Sequence, residues 1–298
     1  MKKIIYTLFI FPLFMFSQEV SVADGATLTI GTSGTMTVSS SITTNSTGSL
    51  IIETSRTASG SLIAKSAGAN QGKGITLKRQ VDQLQGDAST AEWTLLGIPV
   101  TGETSGDIDD DLRTSGGNSA IGYFDPTTGQ GQYSYYTTNA NTQLENGRGY
   151  LVSPSASGYV NMTGPMRTTS VAYELEDGSG TYGNWNLVGN PYPSYINMTD
   201  DADASNNFLT VNTSVLDASY QSVYAWDGTS WDIYNQTTNS INHIAPGEGF
   251  FVYSVSGGGE LTFRENMQNS GQGVNFNDAN IAPGSKPVSR NRVSRLEL

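Results

Sequence analysis

The chain has 298 residues, enough for two domains or three small ones, each with its own core. Hydrophobic residues make up 36%, charged residues 14% and aromatic residues 10%, a mixture that excludes low-complexity disorder and disfavours long helices. The formal net charge of −12 opposes binding to nucleic acid and to anionic membranes, and the lack of cysteine excludes disulfides and thiolate metal sites.

Residues 1–17 are predicted to be a secretory signal peptide. Lys2 and Lys3 precede an apolar run from Ile4 to Phe16, and the small residue Ser17 follows it. This run is short for a membrane-spanning helix, which is the alternative interpretation. Loss of the two lysines with the peptide changes the formal net charge from −12 to −14. We therefore expect a secreted or outer cell-surface protein with no transmembrane segment after processing.

The segment 18–72 contains a short phrase that recurs at irregular spacing. Each copy has a small residue, a Ser or Thr, then Leu or Met, then mostly β-branched residues: "ATLTI", "GTMTV", "GSLII" and "GSLIA". A turn and a strand repeated at this length predict a parallel, β-solenoid-like segment. The inward face of its rungs would then carry Leu28, Met36, Leu50 and Leu62. The alternative is an antiparallel meander, because periodicity identifies strands but not their partners.

Residues 73–168 and 169–268 are predicted to be two copies of one unit. The motif WxLxGxP occurs in both, as Trp93, Leu95, Gly97 and Pro99 and again as Trp185, Leu187, Gly189 and Pro191. Four further landmarks follow the same order in each copy: an opening alternating strand, an acidic loop after the motif, an aromatic hairpin, and a GxG phrase followed by a strand and a Met. The repeat predicts equivalent buried positions for Trp93 and Trp185.

These patterns predict an all-β protein. A short amino-terminal β-solenoid-like segment would precede two related β-sandwich domains of jelly-roll type, since each copy supplies enough short strands for two layers. Residues 269–298 would form a tail.

The phrases "WNLVGNPYPS", "VYAWDG" and "IAPGEGFFV" resemble a module of large secreted proteins from Bacteroidota. The resemblance covers about residues 73–298. It implies export through the type IX secretion system, with the export machinery as a partner, and a place on or near the cell surface. It provides no catalytic residues.

Relatives of this kind usually continue past a segment such as "RNRVSRLEL" into another β-region and a sorting domain. The tail at 269–298 is therefore expected to be the start of such a region, and the alternative is a short member of the group.

The two acidic loops are the candidate metal sites. Extracellular calcium sites often use loops rich in hard oxygen ligands, although neither loop matches the twelve-residue calcium loop. Calcium is the only cofactor that the sequence suggests, and a plain solvated loop is the alternative. The candidate ligands are Asp107, Asp109 and Asp111 in the first copy and Asp200, Asp201 and Asp203 in the second.

The aromatic hairpins are the candidate ligand sites. Exposed rings on a β-face would provide flat apolar surfaces on which a sugar can stack. The alternative is cross-strand packing inside the hairpins. The candidate residues are Tyr133, Tyr135, Trp226, Trp231 and Tyr234.

The sequence lacks most of the His and Cys side chains on which enzyme catalysis usually depends. His243 is the only histidine and cysteine is absent, so Cys–His pairs and multi-His metal sites cannot form within one chain. We therefore expect a non-enzymatic structural or adhesive surface protein, with glycans or other surface proteins as partners. The alternatives are a glycan-binding module of a polysaccharide-handling protein and, third, part of a carboxylate-dependent glycoside hydrolase.

Overall fold

The structure, a computed structural model, describes residues 16–65, 70–72, 74–81, 93–128, 132–156, 158–178, 180–226, 231–237, 241–270 and 275–276. The predicted signal peptide lies almost entirely outside the described residues, and so does most of the predicted tail. The described part is almost entirely β, with one short α-helix, and has the expected all-β, sandwich-like architecture. No helix among the described residues is long and apolar enough to cross a membrane.

The amino-terminal segment consists of parallel strands. They are β1 (Phe16–Val22), β2 (Thr27–Ile30), β3 (Thr35–Thr44), β4 (Ser49–Glu53), β5 (Ser61–Ala64) and β6 (Asn70–Gly72). Strand β3 pairs in parallel with β1, β5 and β6, and β2 pairs in parallel with β4. These pairings exclude the antiparallel meander for these strands. They do not by themselves establish a solenoid, which stays a prediction.

The four residues expected to stack do so in pairs. Leu28 is the register partner of Leu50, and Met36 is the partner of Leu62. Met36, Leu50 and Leu62 are buried in one hydrophobic core, and the partly buried Leu28 packs against it. The small residue before each strand lets the parallel rungs lie close together. A Cβ added at Gly60, for example, would lie 2.7 Å from the carbonyl oxygen of Ile30.

The first copy contains two 3₁₀ turns, Ser105–Asp107 and Asp109–Asp111, and seven strands within the described residues. The strands are β7 (Ile75–Val81), β8 (Thr94–Gly97), β9 (Thr114–Ser115), β10 (Asn118–Asp125), β11 (Gln132–Thr137), β12 (Gly149–Val152) and β13 (Gly158–Gly164). Strand β7 pairs with β13, and a second sheet has the order β11-β10-β12-β8.

The second copy begins with β14 (Val171–Leu175), β15 (Trp185–Gly189), β16 (Tyr195–Asn197) and the helix α1 (Phe208–Val211). It continues with β17 (Val223–Trp226), β18 (Trp231–Tyr234), β19 (His243–Ile244), β20 (Gly249–Tyr253), β21 (Gly259–Phe263), a 3₁₀ turn at Glu265–Met267 and β22 (Gln268–Asn269). Here β14 pairs with β21, and the larger sheet has the order β15-β20-β17-β18.

The two copies therefore have the same strand order. The hairpin β10–β11 corresponds to β17–β18, and the motif strands β8 and β15 each pair with the strand after the GxG phrase, β12 and β20. The second copy adds a small sheet, β19-β16-β22, and helix α1, which lie outside this shared order. The domain boundary expected at residues 72/73 is not a break in the sheet, because β4 pairs in parallel with β7.

Three hydrophobic cores fill the described structure. The first is shared by the amino-terminal strands and the first copy, and the second belongs to the second copy. The third contains residues of both copies, with Leu95, Phe124 and Leu151 from the first and Trp185, Leu187 and Phe251 from the second. Strands β8, β12, β15 and β20 are thus buried on both faces, which explains their apolar runs.

The repeated motif builds the junction between the copies. Leu95 and Leu187 face the shared third core, whereas the adjacent Leu96 and Val188 face the cores of their own copies. Gly97 donates its backbone N–H to the carbonyl of Gly247, and Gly189 donates to that of Gly147, at 3.0 Å in both cases. The glycines of the motif and of the GxG phrase therefore meet across the junction in a reciprocal arrangement.

The expected burial of the two tryptophans is only half right. Trp185 is 7% exposed, with its ring perpendicular to Tyr224 and Tyr253. Trp93 is only partly buried and lies at the margin of the shared core, against Tyr135. The Trp position of the motif is therefore buried in the second copy and only partly buried in the first.

Candidate binding groove

The acids of the first loop hold separate pieces of backbone. Asp107 Oδ2 accepts hydrogen bonds from the backbone N–H and hydroxyl of Thr104, at 2.9 and 2.7 Å. Asp109 accepts from the N–H of Asn139, and Asp111 accepts from that of Asn161. The three carboxylates therefore do not converge on one point.

The acids of the second loop also accept hydrogen bonds from nearby backbone and side-chain groups. Asp200 accepts from the side chains of Asn207, Thr210 and Gln236. Asp203 accepts from two backbone N–H groups, of Ser205 and Asn206, which hold its pKa below its usual range; Asp201 is exposed. Among the described residues, no group of three or more His, Asp or Glu side chains is placed to hold a metal ion. Calcium dependence stays a prediction, to be tested by chelation.

The five hairpin aromatics are not brought together into one surface. Tyr133 packs edge-on against Phe124, and its burial raises the pKa of its hydroxyl. Tyr234 is 1% exposed and stacks on Phe276 at 5.4 Å. The half-buried Trp226 and Trp231 contact each other at 5.2 Å with a tilt of 53°, beside the shared core. Tyr135 alone of the five is largely exposed, at 42%.

Tyr135 and Trp93 form one side of a surface groove of about 950 Å³. Their ring centroids are 5.7 Å apart and the ring planes are tilted by 45°. The sequence places Tyr135 here through Gly122, its register partner on β10. A Cβ at Gly122 would lie 2.9 Å from Cδ1 of Tyr135, so only glycine lets the ring lie across the neighbouring strand.

Neutral polar side chains form most of the rest of the groove. They come from β9, from the start of β10 and from the residues after β12: Thr114, Ser115, Asn118, Ser119, Ser153 and Ser155. The Ser119 side chain is buried, and its hydroxyl has no hydrogen-bond partner among the described residues. Arg113 is the one charged residue of the lining, and its Nε donates to the carbonyl of Pro154 at 3.0 Å.

A second cavity of about 650 Å³ lies between the copies and has a different character. It is lined by charged residues of both signs, among them Glu145, Arg148, Arg167 and Glu174. Arg148 lies 4.3 Å from the ring centroid of Tyr123, and Arg167 Nε donates to Asn146 at 2.9 Å. Arg148 also lies 3.5 Å from Glu145, so both arginines of the cavity already have partners.

The single histidine is not part of either cavity. His243 is half-buried on β19, where it pairs with Asn197 of β16. Burial lowers the pKa of its imidazole, which favours the neutral form at physiological pH.

The sequence pattern points to Tyr135 but not to the rest of the groove. The repeat predicts a core position for Trp93 because its partner, Trp185, has the pattern of a core residue. Ser, Thr and Asn are so common in this chain that Asn118 and Ser119 carry no distinctive signal. The one usable signal is Gly122, a glycine inside a strand, which often marks a close approach of another group.

The chain belongs to a family. Residues 13–293 match the family described as "Domain of unknown function (DUF8693)". Neither the comparison with curated proteins nor that with solved structures gives a match. The match spans the amino-terminal strands and both copies, which share hydrophobic cores.

Proposed function

We propose that this protein is a non-catalytic, secreted or cell-surface β-protein that works by adhesion. The observation that carries the proposal is the chemistry of the groove. Its described lining offers hydroxyls, an amide, two aromatic rings and a guanidinium, and includes no Asp, Glu or His. Such a surface can hold a ligand but does not supply the acid and base that hydrolysis of a glycosidic or peptide bond requires.

The packing of the two copies against each other supports the same role. The junction between the copies is formed by backbone contacts and by a core of aromatic rings, so the copies are held in one fixed arrangement. Adhesive proteins benefit from a rigid body, because a preformed surface loses less conformational entropy on binding. The predicted signal peptide favours a place outside the cell, and the resemblance to Bacteroidota proteins favours type IX export.

The test combines retention and turnover on the same substrates. Purified chain lacking residues 1–17 is incubated with insoluble polysaccharides and with proteinaceous surfaces, and both bound protein and released reducing ends or peptides are measured. The proposal predicts retention without product at any time. Product release that is lost when one facing pair of acids is changed to amides would overturn it in favour of a hydrolase.

Location is tested separately in the native cell. Protease treatment of intact cells should remove the protein, and antibody should detect it in the surface fraction or the medium. A pool confined to the cytoplasm would contradict the proposed location.

A second function, glycan binding, is favoured by one specific observation. Tyr135 and Trp93 place an exposed aromatic surface beside polar side chains, a combination typical of ligand sites.

A further inference from the structure

We infer that the groove formed by Trp93 and Tyr135 is a binding site for a neutral oligosaccharide. The inference rests on the proposed adhesive function and names the ligand class of its surface. The inter-copy cavity is a weaker candidate, since its two arginines already contact Glu145, Tyr123 and Asn146. The acidic loops are weaker still, since their carboxylates already accept hydrogen bonds from backbone N–H groups.

The aromatic side of the groove fits the apolar face of a sugar ring. Aromatic rings have a negative face, and the C–H groups on one side of a pyranose present a flat, weakly positive surface to it. Tyr135 is 42% exposed although it is a large aromatic residue, and Gly122 beside it leaves room for the ring against the neighbouring strand. Trp93, tilted by 45° to Tyr135, gives this side a second face.

The polar side of the groove fits the hydroxyl groups of the same ligand. Thr114, Asn118 and Ser155 line the groove with exposed side chains. A sugar hydroxyl both donates and accepts, so it can bond to these hydroxyls and to this amide in either sense.

Charge selects a neutral ligand over an anionic one. The groove has one cation, Arg113, whose Nε is bonded to the backbone, and the chain carries a formal net charge of −12. A phosphate or a polyuronate would be repelled by the net negative charge of the whole protein, whereas a neutral oligosaccharide would not. The volume of about 950 Å³ is in the range of ordinary ligand sites and suits a short oligosaccharide.

The test is calorimetric titration of the mature chain with four probes: cellohexaose, mannohexaose, xylohexaose and hexagalacturonate. At least one neutral hexaose should bind, and the anionic probe should not bind more tightly. Tyr135→Ala and Trp93→Ala should each weaken binding about tenfold or more, because each removes a stacking surface. Tyr135→Phe should keep most of the affinity, because it keeps the stacking ring.

Tyr159→Ala is the matched control. Tyr159 is 44% exposed, much like Tyr135, but lies on β13 and does not line the groove. Its substitution should leave binding unchanged, and circular dichroism should show every variant folded.

Three results would overturn the inference. One is binding of a neutral hexaose that survives both Tyr135→Ala and Trp93→Ala in folded protein. Another is no binding of any neutral hexaose at millimolar concentration. The third is tighter binding of hexagalacturonate than of every neutral hexaose. If the chain still adheres to surfaces without turnover in any of these cases, the proposed function stands and only the groove is wrong.

Discussion

Single glycines determine how closely the two copies approach. The glycines of the WxLxGxP motif and of the GxG phrase lie where the backbones of the two copies meet. A Cβ added at Gly189 would lie 2.4 Å from Cα of Gly97 in the other copy, and one at Gly149 would lie 2.5 Å from the carbonyl oxygen of Val188. These are backbone contacts, which cannot move aside as a flexible side chain can.

Gly189→Ala should therefore destabilise the protein. Forcing a methyl group into a packed junction costs about 1–3 kcal/mol and sometimes more. Gly31→Ala is the control, because a Cβ there meets nothing within 4 Å. Urea denaturation should show a clear loss for the first variant and little change for the second. Equal midpoints would contradict the assigned role of Gly189.

A buried ion pair fixes β7 of the first copy to the GxG loop of the second. Arg79 Nη2 lies 2.5 Å from Glu248 Oε1, and both side chains are almost fully buried. The same carboxylate accepts the N–H of Phe276, and Arg79 also donates to the carbonyl of Pro246. Burial raises the pKa of Glu248, and the adjacent guanidinium opposes that rise.

Glu248→Gln should cost about 3–5 kcal/mol of unfolding free energy, because it leaves Arg79 buried without its counter-charge. The control is Glu145→Gln, which breaks the pair with Arg148; Glu145 is 59% exposed there, and such pairs contribute about 1 kcal/mol at most. Denaturant titration compares the two variants. A similar small loss in both would show that the buried pair is not a structural link.

At the scale of elements, two acidic side chains bind the N–H groups at the outer edge of strand β13. Strand β13 pairs with β7 on one side, and its remaining N–H groups at Asn161 and Thr163 donate to Asp111 and Glu103. The first acidic loop therefore covers a sheet edge that could otherwise pair with another chain. Burial raises the pKa of Glu103 to about 7, with a smaller contribution from Asp107 and an opposing one from the Thr163 N–H.

Stability should fall as this carboxyl ionises in the folded protein. The folded state binds the proton more tightly than the unfolded chain, whose Glu has a pKa near 4.5. The contribution of Glu103 is therefore fully present below about pH 4.5 and is lost as pH rises through about 7. Glu103→Gln, which mimics the neutral form, should abolish this loss.

The measurement is the difference in unfolding free energy between the variant and the wild type from about pH 4.5 to about pH 8, a window that brackets the two pKa values of Glu103. The difference removes the contribution of His243, whose lowered pKa acts in the opposite direction. It should grow in favour of the variant as pH rises. Parallel curves would show that Glu103 is not the titrating group.

Elements with a strong local pattern could be predicted from the sequence, and elements defined by long-range contacts could not. The hairpins at Tyr123 and Ala225 and the doubled order of strands follow from alternation and turn residues, which act locally. The small sheet β19-β16-β22 brings together strands far apart in the chain, and α1 has only four residues. Neither has a periodicity long enough to detect.

The candidate site was less predictable for the same reason. Trp93 and Trp185 have the same local motif, and only the packing of the whole chain buries one and leaves the other at a groove. The carboxylates likewise look alike in sequence, while their partners, such as Asn139 and Asn161, lie about 30 and 50 residues away.

At the scale of the whole molecule, each copy packs against the other through equivalent elements. The GxG loop of each copy packs on the opening strand of the other: Gly147 lies against Val171 and Tyr173, and Gly247 lies against Leu77. The amino-terminal strands join the same body, since Leu62 donates its N–H to the carbonyl of Pro193 and Ser59 donates to Tyr195. Removal of either copy would expose the shared aromatic core.

These contacts imply that the amino-terminal strands and both copies fold as one rigid unit. Differential scanning calorimetry of the mature chain is the decisive measurement of that cooperativity. We predict one transition, with a calorimetric enthalpy equal to the van't Hoff enthalpy. Two separated transitions, one for each copy, would show instead that the copies fold independently.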